Sequence, residues 1–172
     1  MSTFDELMGK LDPAMAIVTT VAGDDRAGCL VGFHAQCSIE PSRYAVWLSK
    51  ANHTCRVALH AQYVAVHFLA ADQHDLAELF GTTTGDEIDK FRECRWEAGS
   101  SGVPVLANCP DRFVGRVMAL LAEGSDHVCL VLEPMEAQAT GRLRPMRLSA
   151  ASDLAPGHEA QQRPKPTDLS SE

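Results

Sequence analysis

The feature that most constrains the fold is a series of short, apolar, β-branched runs separated by turn residues. Six runs of this kind occur, at residues 15–21, 29–39, 44–49, 63–69, 112–123 and 127–136. The turn-rich segment 22–28 joins the first two runs and predicts a β-hairpin, and residues 124–126 predict a second one between the last two runs. Helices do not alternate regularly with these five or six strands, as they would in a doubly wound parallel sheet. The pattern therefore predicts a mainly β protein, an antiparallel barrel with short added helices.

Three short helices are predicted beside the strands. Their N-terminal caps are expected at Thr3, at Asn52 or His53, and at Asp72. At Thr3, the side chain of Glu6 would complete a capping box. The second helix would cover residues 54–60, directly after the third strand, and the third would end before Gly81 because glycine commonly terminates helices.

Length and composition predict one globular domain. The chain has 172 residues, of which 45% are hydrophobic and 22% are charged, as in an ordinary soluble domain. Pro, Gln, Ser and charged residues dominate from Ala151 onward, so we expect a folded domain over residues 1–150 and a disordered tail over 151–172. The formal charge of −8 argues against nucleic-acid binding, which depends on clustered Lys and Arg.

The sequence also predicts where the protein is located. No apolar run approaches the roughly 20 residues needed to cross a bilayer, and the polar N-terminus lacks the features of a secretory signal. We therefore expect a cytoplasmic protein with no membrane association and with reduced thiols.

No metal site is predicted. The six cysteines lie well apart without a C-x-x-C pair, which indicates small core residues rather than a zinc or redox centre. The residues His53, His60, His67 and His74 recur every seven positions, which on one helix would form a metal-binding stripe. The predicted strands and helices separate them, so this regular spacing does not bring them together.

A polar cluster, Ser-Lys-Ala-Asn-His-Thr at residues 49–54, lies where the third strand leads into the second helix. The free N–H groups and the dipole at a helix N-terminus favour an anion such as a phosphate. Lys50 would then supply the counter-charge, and Ser49 or Thr54 would donate hydrogen bonds. A plain helix cap is the alternative interpretation, because Ser, Asn and Thr occur at many helix starts.

Eight short segments of the sequence, taken together, give information that no single local pattern provides, because their order and spacing along the chain can be compared with a known family. They are MAIVTT (15–20), GCLVGFHAQCS (28–38), SKANHT (49–54), YVAVHFL (63–69), DQHDLAELF (72–80), DKF (89–91), GVPVL (102–106) and GSDHV (124–128). In this order and spacing they resemble the flavin reductase family, whose domain is an FMN-binding split barrel. The resemblance covers about residues 8–136 and implies an antiparallel split β-barrel of Greek-key type.

The resemblance also implies the site. His127 would lie near the redox centre as the catalytic residue, while the second strand would run along the flavin and the polar cluster would meet its phosphate. Lys90 and Phe91 would lie near the flavin edge. The cofactor-binding residues implied in this way are Gly32, Phe33, His34, Ala35, Gln36, Cys37, Ser38, Ser49, Lys50, Asn52, His53, Thr54, Lys90 and Phe91.

The function implied by the resemblance is that of an FMN-dependent NAD(P)H oxidoreductase, which transfers hydride between a nicotinamide and the flavin. FMN or FAD would be the cofactor and NADH or NADPH the electron donor. Small split barrels of this resemblance usually build the flavin pocket between two subunits, which implies a homodimer, and relatives pass reduced flavin to a separate monooxygenase. The alternative is a split barrel that binds flavin or deazaflavin without flavin reductase turnover.

Overall fold

Within residues 2–99 and 101–157, which the computed structural model describes, the chain forms nine strands and three α-helices. The strands are Ala16–Ala22 (β1), Asp25–Val31 (β2), His34–Ser38 (β3), Arg43–Ser49 (β4), Tyr63–Phe68 (β5), Trp96–Ala98 (β6), Pro104–Leu106 (β7), Arg112–Leu121 (β8) and His127–Gln138 (β9). The helices are Thr3–Leu11 (α1), His53–Ala58 (α2) and His74–Thr82 (α3), with 3-10 turns at Lys90–Arg92 and Leu148–Ala151. This content confirms the predicted mainly β class.

The main sheet closes on itself. Among the described strands, seven form one antiparallel sheet in the order β2-β1-β5-β8-β9-β4-β3, and β6 pairs with β7 separately. β2 and β3 lie at opposite ends of this order, yet only Gly32 and Phe33 join them. This link can span roughly 10 Å, so the two ends of the sheet must meet. The pairing of β3 with β4 extends into this link, because the Trp47 amide donates to the Phe33 carbonyl at 2.9 Å. The predicted antiparallel split barrel is confirmed.

The second predicted strand is the main correction to the sequence-based topology. The run at residues 29–39 breaks at Gly32 and Phe33, so that β2 pairs with β1 while β3 pairs with β4. The first hairpin is therefore confirmed, but its second strand ends at Val31. An apolar run shows where a strand can form and not which partner it takes, so the switch to the other sheet end was not visible in the sequence.

The core consists mainly of two apolar clusters on the two faces of the sheet. Successive side chains of a strand point to opposite faces, so Val18 of β1 packs in one cluster and Ile17 in the other, both fully buried. The first cluster fills the curl of the sheet with side chains from six strands. The second includes Phe80 of α3 and Met146 near the C-terminus. β1 is thus buried on both faces, which explains its nearly continuous apolar run.

Two predicted helix starts are displaced. Ser2, not Thr3, caps α1, because its hydroxyl accepts from the Asp5 amide while the Asp5 carboxylate accepts from the Ser2 amide. No residue of α1 is buried. The residue before α3 is Gln73, not Asp72, and its side chain makes no capping hydrogen bond to the helix. The cap of α2, in contrast, is Asn52 as predicted.

Helix α3 continues through Gly81, where the sequence predicts its end. The carbonyls of its last turn find partners outside the helix ladder, which removes the need for a glycine stop. The Thr83 hydroxyl donates to Leu79, the Lys90 ammonium to Phe80, and the Gly157 amide to Gly81.

The segment after Ala151 belongs in part to the folded body, contrary to the prediction. Ala151 is buried, Leu154 packs on the second apolar cluster, and the Gly157 amide is bonded to α3. The predicted disorder of residues 158–172 lies outside the described residues.

The cysteines are free thiols, and four of them are buried as predicted, while Cys94 is half-buried and Cys37 is exposed. The described part of the chain contains no group of His, Cys, Asp and Glu that could hold a metal ion. It also contains no helix long and apolar enough to span a membrane.

Candidate functional site

A cavity of about 350 Å³ opens where the two ends of the sheet meet. Its size lies within the range typical of small-molecule sites. Apolar side chains form most of the lining, and Ser49, Asn52, Asp126 and His127 contribute polar atoms. The lining residues are Pro13, Met15, Cys29, Leu30, Val31, Gly32, Phe33, Trp47, Ser49, Asn52, Asp126, His127, Leu148 and Pro156. The fold therefore brings Gly32, Phe33, Ser49, Asn52 and His127 together from three separate stretches of the predicted site.

His127 is the first residue of β9 and borders this cavity. Its backbone pairs with Ser49 at the end of β4. Its Nδ1 lies 2.8 Å from the Asp126 carboxylate, and its ring meets Phe33 edge-on with the centroids 5.3 Å apart. A carboxylate on Nδ1 stabilises the tautomer with its proton there, which leaves Nε2 for a ligand.

The polar cluster at residues 49–54 forms a helix cap. The Asn52 side-chain oxygen accepts from the Thr54 amide at 2.9 Å, and the Ser49 hydroxyl accepts from the Ala51 amide at 3.3 Å. Each side chain still has protons to donate, since these bonds use only its acceptors. Thr54 lines no part of the cavity, because its side chain is buried against the barrel and 1% exposed.

Lys50 points to the turn between β8 and β9. Its ammonium donates to the carbonyls of Ala122 and Ser125, both at 2.7 Å, and its amide donates to Asp126 at 2.9 Å. Two of the three ammonium protons are thus taken up by carbonyls. This geometry does not favour the predicted use of Lys50 as the counter-charge of a phosphate.

His53 lies between two carboxylates rather than beside the cavity. Its Nε2 is 3.2 Å from Asp25, and its Nδ1 is 3.2 Å from Asp86, which also binds Arg56. The two carboxylates would repel a phosphate at this position. The predicted phosphate contact from His53 is therefore not favoured by the structure.

The second predicted strand, which was expected to run along the flavin, is divided into two parts in the structure. Gly32 and Phe33 line the cavity, whereas residues 34–38 form β3 and do not. Both His34 ring nitrogens are occupied, by the Tyr44 hydroxyl and the Ala14 carbonyl at 2.7 Å each. The remaining residues of β3 that the sequence assigns to the flavin are Ala35, Gln36, Cys37 and Ser38, of which the first three are exposed. They lie on a strand at the end of the sheet.

Lys90 and Phe91 are not brought to the candidate cavity. Lys90 is 4% exposed, and its ammonium donates to the Gly28 carbonyl at 2.9 Å and the Phe80 carbonyl at 3.2 Å. Phe91 packs edge-on against the Phe80 ring in the second apolar cluster. The two residues border a different cavity of about 290 Å³, lined by residues 24–28 and 85–91.

Several lining residues were missed by sequence reasoning. Leu30, Val31 and Trp47 were predicted as strand residues, and no local pattern distinguishes them from other core positions. Leu148 and Pro156 were missed because they follow the segment that carries the resemblance, and only the return of the chain past β1 brings them to the cavity. One contact that holds the returning chain in this place is the backbone hydrogen bond from the Leu148 amide to the Pro13 carbonyl, at 2.9 Å.

The fold defines a split-barrel protein, and a cavity of small-molecule size lies where the two ends of its sheet meet. The chain belongs to the flavin reductase family: the family model described as "Flavin reductase like domain" matches residues 8–148. One similar protein is the FMN reductase (NADH) RutF of Ancylobacter novellus, 31% identical over 128 residues, which are 73% of this chain and 68% of that protein.

Two solved structures share the fold. The NADH:FAD oxidoreductase SgcE6 of Streptomyces globisporus C-1027 has a TM-score of 0.75 at 22% identity, with 83% of this chain and 84% of that chain covered. The nitrilotriacetate monooxygenase component B homologue of Mycobacterium thermoresistibile has a TM-score of 0.72 at 20% identity, with 83% and 79% covered. At these identities the likeness establishes the fold.

Proposed function

We propose that this protein is a flavin reductase that transfers hydride from NADH to FMN. The observation that carries the proposal is the cavity at the joined sheet ends, which combines an apolar wall with the polar groups of Ser49, Asn52 and His127 in a chain of this family. The similarity to an FMN reductase that uses NADH favours this cofactor pair over FAD and NADPH.

The residues around the cavity fit a flavin. A bound flavin supplies a planar ring that accepts hydride at N5. Leu30, Val31 and Trp47 offer apolar surface on which such a ring is shielded from water. The Ser49 hydroxyl and the Asn52 amide are donors suited to the oxygen atoms of the ring or the phosphate.

We assign the catalytic role to His127. Its Nδ1 is held by Asp126, so Nε2 is the ring nitrogen that can accept a hydrogen bond or a proton from a ligand. A correctly oriented imidazole beside the reacting atoms stabilises charge that develops during hydride transfer. Of the other predicted contacts, Gly32 and Phe33 remain in the proposal as the backbone bordering the cavity.

We further propose that two copies form a homodimer that completes the site. Phe33 borders the cavity while 61% exposed, and β3 is an end strand. The hairpin of β8 and β9 also exposes large apolar side chains, namely Met118, Leu120, Leu121 and Met135. A second subunit would remove this apolar surface from water. Sedimentation that shows a monomer still binding FMN would contradict the dimer.

The remaining parts of the proposal concern domain limits and partners. We propose that the flavin-binding domain covers residues 1–150, extended by residues 151–157, and that the protein is cytoplasmic. The structural likeness to a monooxygenase component B supports a separate monooxygenase as the recipient of reduced flavin. Co-purification and cell fractionation test these two statements.

The absorbance spectrum of the purified protein tests the function. A yellow protein, or apoprotein reconstituted with FMN, should bleach when NADH is added without oxygen, and faster than with NADPH. A yellow protein that neither nicotinamide bleaches would be a flavin-binding protein without reductase turnover. Loss of a blue-shifted chromophore on reduction would indicate a deazaflavin instead.

A further inference from the structure

We infer that Lys50 is a positioning residue that holds His127 at the cavity by fixing the preceding turn. This inference rests on the proposed function, in which His127 acts on the flavin. The starting observation is that the ammonium of Lys50 donates to Ala122 and Ser125, while its amide donates to Asp126. One residue at the end of β4 therefore holds three residues of the turn that leads into β9.

The turn lies outside the strand ladders, and its own contacts include the bond from the Ser125 hydroxyl to the His127 carbonyl at 2.7 Å. The ladder of β8 and β9 ends at the pair Leu121 and Cys129, and the ladder of β4 and β9 ends at Ser49 and His127. Residues 122–126 lie beyond both ladders and are exposed. Exposed turns outside a hydrogen-bonded ladder open most easily. The contacts from Lys50 therefore connect this turn to a residue 72 to 76 positions away in the chain, beyond what its local bonds provide.

The turn matters because Asp126 lies in it. The carboxylate of Asp126 binds Nδ1 of His127 and so determines the ring orientation. The backbone bond from the Lys50 amide to the Asp126 carbonyl would remain with any residue at position 50, and the lysine side chain adds its ammonium bond to the carbonyl of Ser125, directly before Asp126. Lys50 thus acts on His127 through Asp126.

The positioning role and a phosphate-binding role of Lys50 predict different effects of a Lys50 substitution on the affinities for FMN and riboflavin. Phosphate binding by Lys50 would lower the affinity for FMN and not for riboflavin, which lacks the phosphate. A positioning role leaves the ratio of the two affinities unchanged, because its effect reaches the ring end of the site, which FMN and riboflavin share. The side chain offers one remaining ammonium proton to any phosphate.

The first experiment uses the apoprotein and needs no bound flavin. Hydrogen exchange of peptides covering residues 121–128 is measured in wild type, Lys50→Met, Lys50→Arg and Arg56→Met. Lys50→Met should exchange about fivefold to tenfold faster, the factor that corresponds to one net hydrogen bond of the turn. Lys50→Arg should stay close to wild type, because a guanidinium also donates to two carbonyls. Arg56→Met removes a nearby charge without touching the turn and should leave exchange unchanged.

The second experiment measures the rate of flavin reduction by NADH in a single turnover, in Lys50→Met, His127→Asn and the double variant. Lys50→Met should slow reduction about tenfold or less, and it should add almost nothing in the His127→Asn background, as residues acting as one unit do. FMN and riboflavin affinities that stay unchanged, or that fall by the same factor, support the inference. Unchanged exchange, or a loss confined to FMN, would overturn it.

The two proposals fail in different ways. If His127→Asn reduces flavin at the wild-type rate, the role of His127 is refuted and with it the functional part of this inference. In that case the exchange rates still decide whether Lys50 holds the turn.

Discussion

Replacing Lys90 by methionine separates a structural role from the predicted contact with the flavin edge. Its ammonium binds the Phe80 carbonyl in the last turn of α3 and the Gly28 carbonyl of β2, an end strand of the sheet. Methionine has a similar length and shape but donates no hydrogen bond. Lys90→Met therefore leaves two buried carbonyls without this partner.

The expected cost follows from these contacts. A buried polar group left unsatisfied costs about 1–3 kcal/mol, and part of the loss is returned because an ammonium no longer has to be buried. We expect the free energy of unfolding to fall by about 3 kcal/mol at neutral pH. Arg92→Met, at an exposed position of the same 3-10 turn, should change it by less than about 0.5 kcal/mol.

The pH dependence gives the same prediction an independent check. Burial lowers the pKa of Lys90 from its ordinary value of 10.5. The unfolded chain then binds more protons than the folded chain between the lowered pKa and 10.5, so stability increases with pH across this window. The stability advantage of wild type over Lys90→Met should grow as pH rises toward 10.5.

Urea unfolding at neutral and alkaline pH, with FMN titration of the folded variants, decides between the two roles. A Lys90→Met protein that unfolds like wild type yet binds FMN at least about tenfold more weakly would refute the structural assignment. That result would instead support the predicted contact between Lys90 and the flavin edge.

Three further predictions concern His67, His127 and Asn52. Burial lowers the pKa of His67 to about 4, so the stability it contributes is complete above its ordinary value of 6.5 and is lost between 6.5 and about 4. In urea unfolding, the advantage of wild type over His67→Leu should shrink by about 3 kcal/mol from pH 7 to pH 4, and a constant difference would be contrary evidence. His127→Asn should keep bound FMN but slow its reduction by NADH at least about tenfold in single-turnover absorbance, a loss of about 1.4 kcal/mol in the transition state. An unchanged rate would make His127 an ordinary strand residue. Asn52→Ala should cost about 1 kcal/mol of stability through the lost cap. If Asn52 also binds the phosphate, titration should show FMN affinity falling more than riboflavin affinity, and equal losses would limit Asn52 to the cap.

Local patterns in the sequence determined most of the elements of this protein. The strands β4, β5, β8 and β9 and the helix α2 lie where the apolar runs and the Asn52 cap predict them. Each depends on residues close together in the chain, whose side-chain alternation and capping bonds are decided within a few positions. The order of the matching segments was sufficient to indicate the family and the split barrel.

The composition of the site was decided only by the tertiary structure. The Lys50 ammonium binds a carbonyl 72 residues away, and the Lys90 ammonium binds one 62 residues away. Neither partner can therefore be predicted from the residues around the lysine. The same is true of the break at Gly32 and Phe33, which occurs because the chain must cross from one end of the sheet to the other where the barrel closes. Closure of the barrel brings together side chains that are distant in sequence. It thereby determines which of the predicted site residues line the cavity and which only bond other parts of the fold.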